Sequence, residues 1–235
     1  SIYRGYFSQN KANGFGIYYH SSGSEYYGDF INDKIEGFGI YTNSNGAQYI
    51  GQWENDLQNG VGIEKWNNNS TYVGEFKFGK KNGCGMYIWG DKSSYSGEWK
   101  DNNLCGYGIY VYNDGRLYYG EWKNNMMNGF GEFFWNNDGK KFVGYFKDDK
   151  KHGFGIFAWK KPAKIFIGFW FNGKQNGIGK YYSIKKQKIG IWKNGKKIEW
   201  FDNQNESLQL IKKEYINFLI FCNKSYSDLQ KIVWN

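Results

Sequence analysis

Tyr118-Tyr119-Gly120-Glu121-Trp122, followed shortly by Gly129-Phe130-Gly131, is the stretch whose reading decides the fold. The aromatic-x-Gly-x-aromatic unit that opens it starts also at Tyr3, Tyr26, Tyr49, Tyr72 and Tyr95, a strict 23-residue period. The period then drifts, with units at Phe142 and Phe166 and a degenerate ninth, Lys188-Ile189-Gly190-Ile191-Trp192. A Gly-x-Gly follows in each of the first eight, from Gly14/Gly16 to Gly177/Gly179.

Each unit is expected to form one β-hairpin. The first strand carries Tyr-x-Gly-x-Trp/Phe. A turn pair follows, such as Asn32-Asp33, Asn55-Asp56, Asn172-Gly173 or Asn194-Gly195, residue types that tolerate positive φ. The second strand carries Gly-x-Gly and usually an aromatic two residues on, such as Tyr18, Tyr87 or Phe157. Period-two alternation and the glycine density exclude helix. A Gly opposite a bulky ring supplies room while the ring shields its bare backbone, so regular strand glycines imply aromatic-over-glycine packing. About 17 strands at roughly 4.8 Å spacing would make a sheet on the order of 80 Å long.

The pattern resembles the MORN (membrane occupation and recognition nexus) repeat family. Tyr49-Ile50-Gly51-Gln52-Trp53 with Gly60-Val61-Gly62, and the Tyr118 unit quoted above, match its Tyr-x-Gly-x-Trp and Gly-x-Gly closely. The resemblance implies an all-β fold, an elongated single-layer antiparallel sheet of repeated hairpins with a groove. It also implies a scaffold of cytoskeletal, axonemal or cortical assemblies, or a regulatory segment of a larger enzyme such as a lipid kinase or methyltransferase. Three departures stand out: Asn69 and Lys92 replace a turn Gly, units seven and eight begin with Phe, and the ninth lacks Gly-x-Gly. The expected division is a repeat array over 1–201 and a C-terminal helical cap or interface segment over 202–235, with a short helix the only non-β element.

Composition narrows the function. Aromatics make up 22% of 235 residues, with 33 Gly and 1 Pro, and no apolar run is long enough to span a membrane as a helix. The first residue is Ser, without a basic apolar leader, so a processed or excised chain is expected, with further repeats or a partner upstream of Tyr3. Cys84, Cys105 and Cys222 have no zinc spacing, and His20 and His152 sit in ordinary repeat positions, so neither metal nor cofactor is expected. The recurring Gly-x-Gly lies on a strand and is no dinucleotide fingerprint. No nucleophile, base and acid recur together, so the chain is read as not an enzyme.

The net charge of +9 is unevenly placed. Residues 1–138 hold 11 Lys/Arg against 15 Asp/Glu, whereas residues 139–201 hold 16 against 3. Only two of the 31 cations are Arg, the residue suited to bidentate phosphate and guanine recognition, which argues against nucleic acid. An acidic phospholipid surface is the alternative partner for the basic end, through Lys160, Lys161, Lys164, Lys185, Lys186 and Lys188.

The favoured function is a non-catalytic protein-interaction scaffold, cytoplasmic and associated with cytoskeleton or membrane, that holds a protein partner, plausibly a helix, in an aromatic groove. Trp53, Trp66, Trp89, Trp99, Trp122, Trp135 and Trp159 are the expected lining. The position before the Trp/Phe runs Asp29, Gln52, Glu75, Glu98, Glu121 and then Tyr145, Phe169, Ile191, giving either a solvated acidic face or a strip for a basic partner. Ile165-Phe166-Ile167-Gly168-Phe169-Trp170-Phe171 is apolar on both faces and expects cover. Phe166, Phe169, Phe171 and Ile191 are therefore expected to dock a C-terminal helix, whose apolar positions would be Leu208, Ile211, Tyr215, Phe218 or Leu219, and Cys222. The alternative is a homodimer through the same surface. Ser225-x-x-Asp228 resembles a capping box before a second short helix.

Overall fold

The computed structural model describes residues 1–137 and 139–201. They form eighteen strands and no helix, in two compact units, residues 1–113 and those from 114 onward. The first unit holds β1 (Ile2–Ser8), β2 (Lys11–Tyr19), β3 (Glu25–Ile31), β4 (Lys34–Thr42), β5 (Gln48–Glu54), β6 (Leu57–Lys65), β7 (Thr71–Lys77), β8 (Lys80–Ile88), β9 (Ser94–Lys100) and β10 (Asn103–Val111). The second holds β11 (Leu117–Lys123), β12 (Met126–Trp135), β13 (Lys140–Lys147), β14 (Lys150–Trp159), β15 (Lys164–Phe171), β16 (Lys174–Ser183), β17 (Gln187–Lys193) and β18 (Lys196–Trp200). Within each unit, strands consecutive in sequence pair antiparallel, a single-layer meander of hairpins. The helices expected after residue 204 lie outside the described residues.

The turn chemistry sets the register. Nine hairpins close on two residues that both have positive φ, among them Asn32-Asp33, Asn55-Asp56, Asn124-Asn125 and Asn194-Gly195. Type I′ turns have this conformation, and their twist matches that of the strands they join. Phe78-Gly79 is the unexpected member, an exposed Phe at φ 50 where Asn is common. The degenerate ninth repeat is also a hairpin, β17 with β18.

The two glycines of Gly-x-Gly do different jobs. The second faces the strand-one glycine, as Gly62 faces Gly51, and the Tyr49 ring lies over both. A Cβ on Gly62 would fall 2.5–2.6 Å from that ring, so the approach admits no side chain. The first glycine sits in a bulge. Between Gly51↔Gly62 and Trp53↔Gln58, Gln52 alone faces the segment Asn59, Gly60 and Val61, and Gly60 takes φ +83.

The core is the repeated aromatic face. Tyr26, Tyr49, Tyr72, Tyr95 and Tyr118 are at most 2% exposed. The Tyr49 hydroxyl donates to the Gln52 carbonyl at 2.9 Å, and those of Tyr72, Tyr95 and Tyr118 donate to the carbonyls of Glu75, Glu98 and Glu121 at 3.0 Å. Burial pushes the phenols of Tyr26, Tyr49, Tyr72 and Tyr95 well above their ordinary range. Edge-to-face pairs continue from repeat to repeat: Tyr49 lies 5.0 Å from Trp53 of its own hairpin and 5.0 Å from Phe76 of the next. Phe142 and Phe166 take the tyrosine's place in units seven and eight, fully buried over Gly155 and Gly179.

At the turn edge, each hairpin reaches back to the one before. The amides of Ala12, Ile35, Lys81 and Met127 donate to side-chain oxygens of Asp33, Asp56, Asn102 and Asp149 at 2.7, 2.8, 2.9 and 2.8 Å. The main-chain amides of those four turn residues donate to the carbonyls of Ala12, Ile35, Lys81 and Met127.

Candidate functional site

The seven tryptophans fall into two settings. Trp53, Trp99 and Trp122 stand on first strands and belong to the core face. Trp99 and Trp122 are 5% and 7% exposed, and the indoles of Trp53 and Trp99 donate to the Gly39 and Gly85 carbonyls at 3.3 and 3.1 Å. Trp53 and Trp99 wedge neighbouring hairpins together, 5.5 Å from Tyr26 and 5.3 Å from Tyr72 of the hairpins before them.

Trp66, Trp89, Trp135 and Trp159 stand at or just past the ends of second strands and are half-buried. They join the strand-two aromatics in a ladder of tilted rings. In the first unit, the centroid steps are 5.3 Å from Trp66 to Tyr87, 4.6 Å to Trp89, 5.2 Å to Tyr110 and 4.5 Å to Tyr112. In the second, Phe133, Trp135, Phe157 and Trp159 follow at 4.3, 5.6 and 4.4 Å. The tilts between successive rings run from 32° to 50°, unlike the near-perpendicular core pairs. Tyr87 and Tyr110 are readable in the sequence as the strand-two aromatics two residues after Gly-x-Gly, but only the tryptophans are expected as lining.

Two lysines sit among these rings. Lys81 Nζ lies 4.8 Å from the Trp66 centroid and 5.1 Å from that of Tyr72, and is 2.8 Å from the Glu64 carboxylate. Lys151 Nζ lies 4.4 Å from both the Phe157 and Trp170 centroids, and burial pushes its pKa down to about 8. The ring faces act the other way and favour the ammonium.

The acidic stripe is engaged in the bulges. Glu75, Glu98 and Glu121 accept the backbone N–H groups of Cys84, Tyr107 and Phe130 at 2.8, 2.8 and 2.7 Å, and the Gln52 amide oxygen accepts that of Val61 at 2.8 Å. These side chains hold the fold as well as facing solvent. In repeats seven and eight the same positions make apolar pairs, Tyr145 with Phe130 at 5.6 Å and Phe169 with Phe154 at 5.7 Å.

The expected docking residues divide between the two faces. Phe166 belongs to the aromatic face, 5.5 Å from Trp170 and 4.9 Å from Trp192. Phe169, Phe171 and Ile191 lie on the other face by strand alternation, the last two 50% and 37% exposed. Lys160 and Lys161 are exposed on the β14–β15 connection, and Lys185 and Lys186 on the β16–β17 connection at the same edge. Lys164 and Lys188 begin the adjoining strands, the latter 5.7 Å from the Trp200 ring. Lys150 and Lys196 follow hairpin turns at the opposite edge, so the positive charge is on both edges.

No cluster of three metal-ligating side chains occurs among the described residues. A surface depression has Asn128, Tyr145, Asp148 and His152 among its lining residues, and neither serine nor cysteine lines it. No helix among the described residues is long and apolar enough to cross a membrane.

The MORN repeat pattern matches residues 3–25, 26–48, 49–71, 72–94, 95–115, 118–140, 142–161 and 166–185. The chain belongs to the MORN repeat family. No curated protein sequence matches this MORN repeat chain closely enough to count as a relative. Among solved structures, it is similar to the wild-type TCP10 domain of Danio rerio CPAP, at 11% identity and TM-score 0.43, over 81% of this chain and 90% of that one. It is also similar to the Drosophila melanogaster SAS-4 TCP domain in complex with a proline-rich motif of Ana2, at 9% identity and TM-score 0.41, over 76% and 90%. Scores this low carry no argument about what this MORN repeat protein binds.

Proposed function

We propose that this MORN repeat protein is a non-catalytic scaffold that binds a protein partner along its aromatic ladder. The observation behind this reading is the run of half-buried, tilted rings from Trp66 to Tyr112. Large, rigid aromatic surfaces of this kind supply binding energy at low entropic cost. A helix offering apolar side chains at every turn matches a row of rings about 5 Å apart, because a helical turn rises about 5.4 Å. Trp99, 6.1 Å from the Tyr87 ring, backs the ladder from the core face. The assembly served is cytoskeletal or cortical in this reading.

Capture of partners from a cell extract tests it. The Trp66→Ala/Trp89→Ala chain should lose the proteins that the wild type retains, with its melting transition still cooperative. Retention of the same proteins by that variant sinks the reading.

A second reading has its own observation, the exposed Lys160, Lys161, Lys185 and Lys186 at one edge. Each lysine near an anionic membrane contributes about 1 kcal/mol, enough together for salt-sensitive adsorption. Flotation with phosphoinositide-containing vesicles at low and high salt tests this, and absence of binding at low salt removes it.

A further inference from the structure

In the second unit, one patch of the face opposite the aromatic one, on β14 to β17, is closed, while Tyr119, Phe171 and Ile191 on that face are 52%, 50% and 37% exposed. Ala158, Ile167 and Ile189 are 0% exposed, Ile165 1%, and Ile156 and Lys180 4%. In the first unit, the same repeat positions are half-buried or open: Tyr27, Ile40, Ile50 and Ile63 are half-buried, Val73, the counterpart of Ile167, is 39% exposed, and Met86 and Ile109, the counterparts of Ile156 and Lys180, are 41% and 39%. Strand pairing cannot produce this difference. Among the described elements, extensive packing joins only strands consecutive in sequence, and a single layer leaves its second face in water. The covering group must come from elsewhere.

We propose that residues 205–222 of this chain cover this face as an amphipathic helix laid across β14 to β17. The described chain ends beside the patch: the Phe201 amide donates to the Ile189 carbonyl at 2.9 Å, and 34 residues follow Phe201. Leu208, Ile211, Tyr215, Leu219 and Cys222 recur at helical spacing, a stripe matched to a flat apolar surface. Eighteen helical residues reach about 27 Å, more than the three strand spacings of about 4.8 Å that separate β14 from β17. The counterpart row in the first unit, Ile40, Ile50, Ile63, Val73 and Met86, is apolar too but stays half-buried or exposed, and Ser96 interrupts it.

Carbene footprinting of the full chain tests the assignment. Peptides carrying Ile165, Ile167 and Ile189 should stay unlabelled while those carrying Val73 and Met86 are labelled, at every protein concentration. Ile211→Asp with Leu219→Asp should raise labelling at the three isoleucines severalfold, to the level of Val73. Wild-type labelling of the isoleucines equal to that of Val73 would overturn the proposal without requiring any variant to fold. So would protection that disappears on dilution, which would assign the cover to a second copy. Unchanged protection in the double variant would assign it to another segment.

Discussion

The Glu98 carboxylate accepts the backbone N–H of Tyr107 at 2.8 Å, across the bulge that Gly106 opens at φ +55. The bond supplies a donor of the bulge with an acceptor where the ladder is interrupted. Glu98→Ala should therefore cost about 1 kcal/mol, the net worth of a partly exposed hydrogen bond. Glu98→Gln should be close to neutral, because Gln52 already performs the same task for Val61. Urea denaturation of the two variants decides it; equal losses would mean that charge rather than acceptance matters.

Gly62→Ala should be a damaging change in the first unit, conservative as it is. Its Cβ would meet the Tyr49 ring at 2.5–2.6 Å, and that ring is locked by its hydroxyl bond and its edge-to-face partners. Overpacking of this kind costs about 1–3 kcal/mol. A melting temperature unchanged from wild type would show that Tyr49 swings aside freely.

Lys92 has φ 70 in the connection after β8, at a position held by Gly23 and Gly46 in earlier repeats. A left-handed conformation costs a side-chain-bearing residue about 1 kcal/mol relative to glycine. Lys92→Gly should thus raise stability by about that amount, measured by thermal or urea unfolding. A loss would mean that the lysine makes a compensating contact.

Lys151 should make stability depend on pH. Its folded pKa lies near 8, below the ordinary 10.5, so between these values the unfolded chain holds a proton that the folded chain has shed. Stability from this group therefore rises with pH through that window, by something on the order of 2 kcal/mol. Relative to Lys151→Met, the wild type should gain in melting temperature between pH about 7.5 and about 10. A constant difference would mean that the ring faces of Trp135, Phe142, Phe157 and Trp170 keep the ammonium charged throughout.

The hairpins were legible in the sequence because the period fixes them eight times over. Asn-Asp and Asn-Gly pairs mark turns, and the strand-two glycines point to rings above them. Phe78 was not legible as a turn residue, because Phe has no preference for positive φ and its hairpin imposes it. The double role of Glu75 and Glu98 was hidden for another reason: a carboxylate facing solvent and one bonded to a bulge amide have the same place in a period-two pattern. Ile165–Phe171, apolar at both parities, announced that two faces were covered without saying which ring belonged to which. Phe166 consequently sits over Gly179, opposite Phe169 and Ile191. The ladder residues Tyr87 and Tyr110 were visible as strand aromatics, but their approach to Trp89 depends on how the connection carries that ring back.

The backward reach of each turn, Asp33 to Ala12 and Asp56 to Ile35, bears on how such a gene changes length. Excising residues 26–48 would bring Asp56 to the place of Asp33 and Tyr49 to that of Tyr26, with every acceptor replaced in kind. The shortened chain should still unfold cooperatively in a thermal melt, and loss of the transition would show that neighbouring units are matched individually. Unequal recombination within the coding sequence can then add or drop a whole unit and leave a foldable product, whereas a single-codon insertion inside a strand shifts the ring of that hairpin off its glycines.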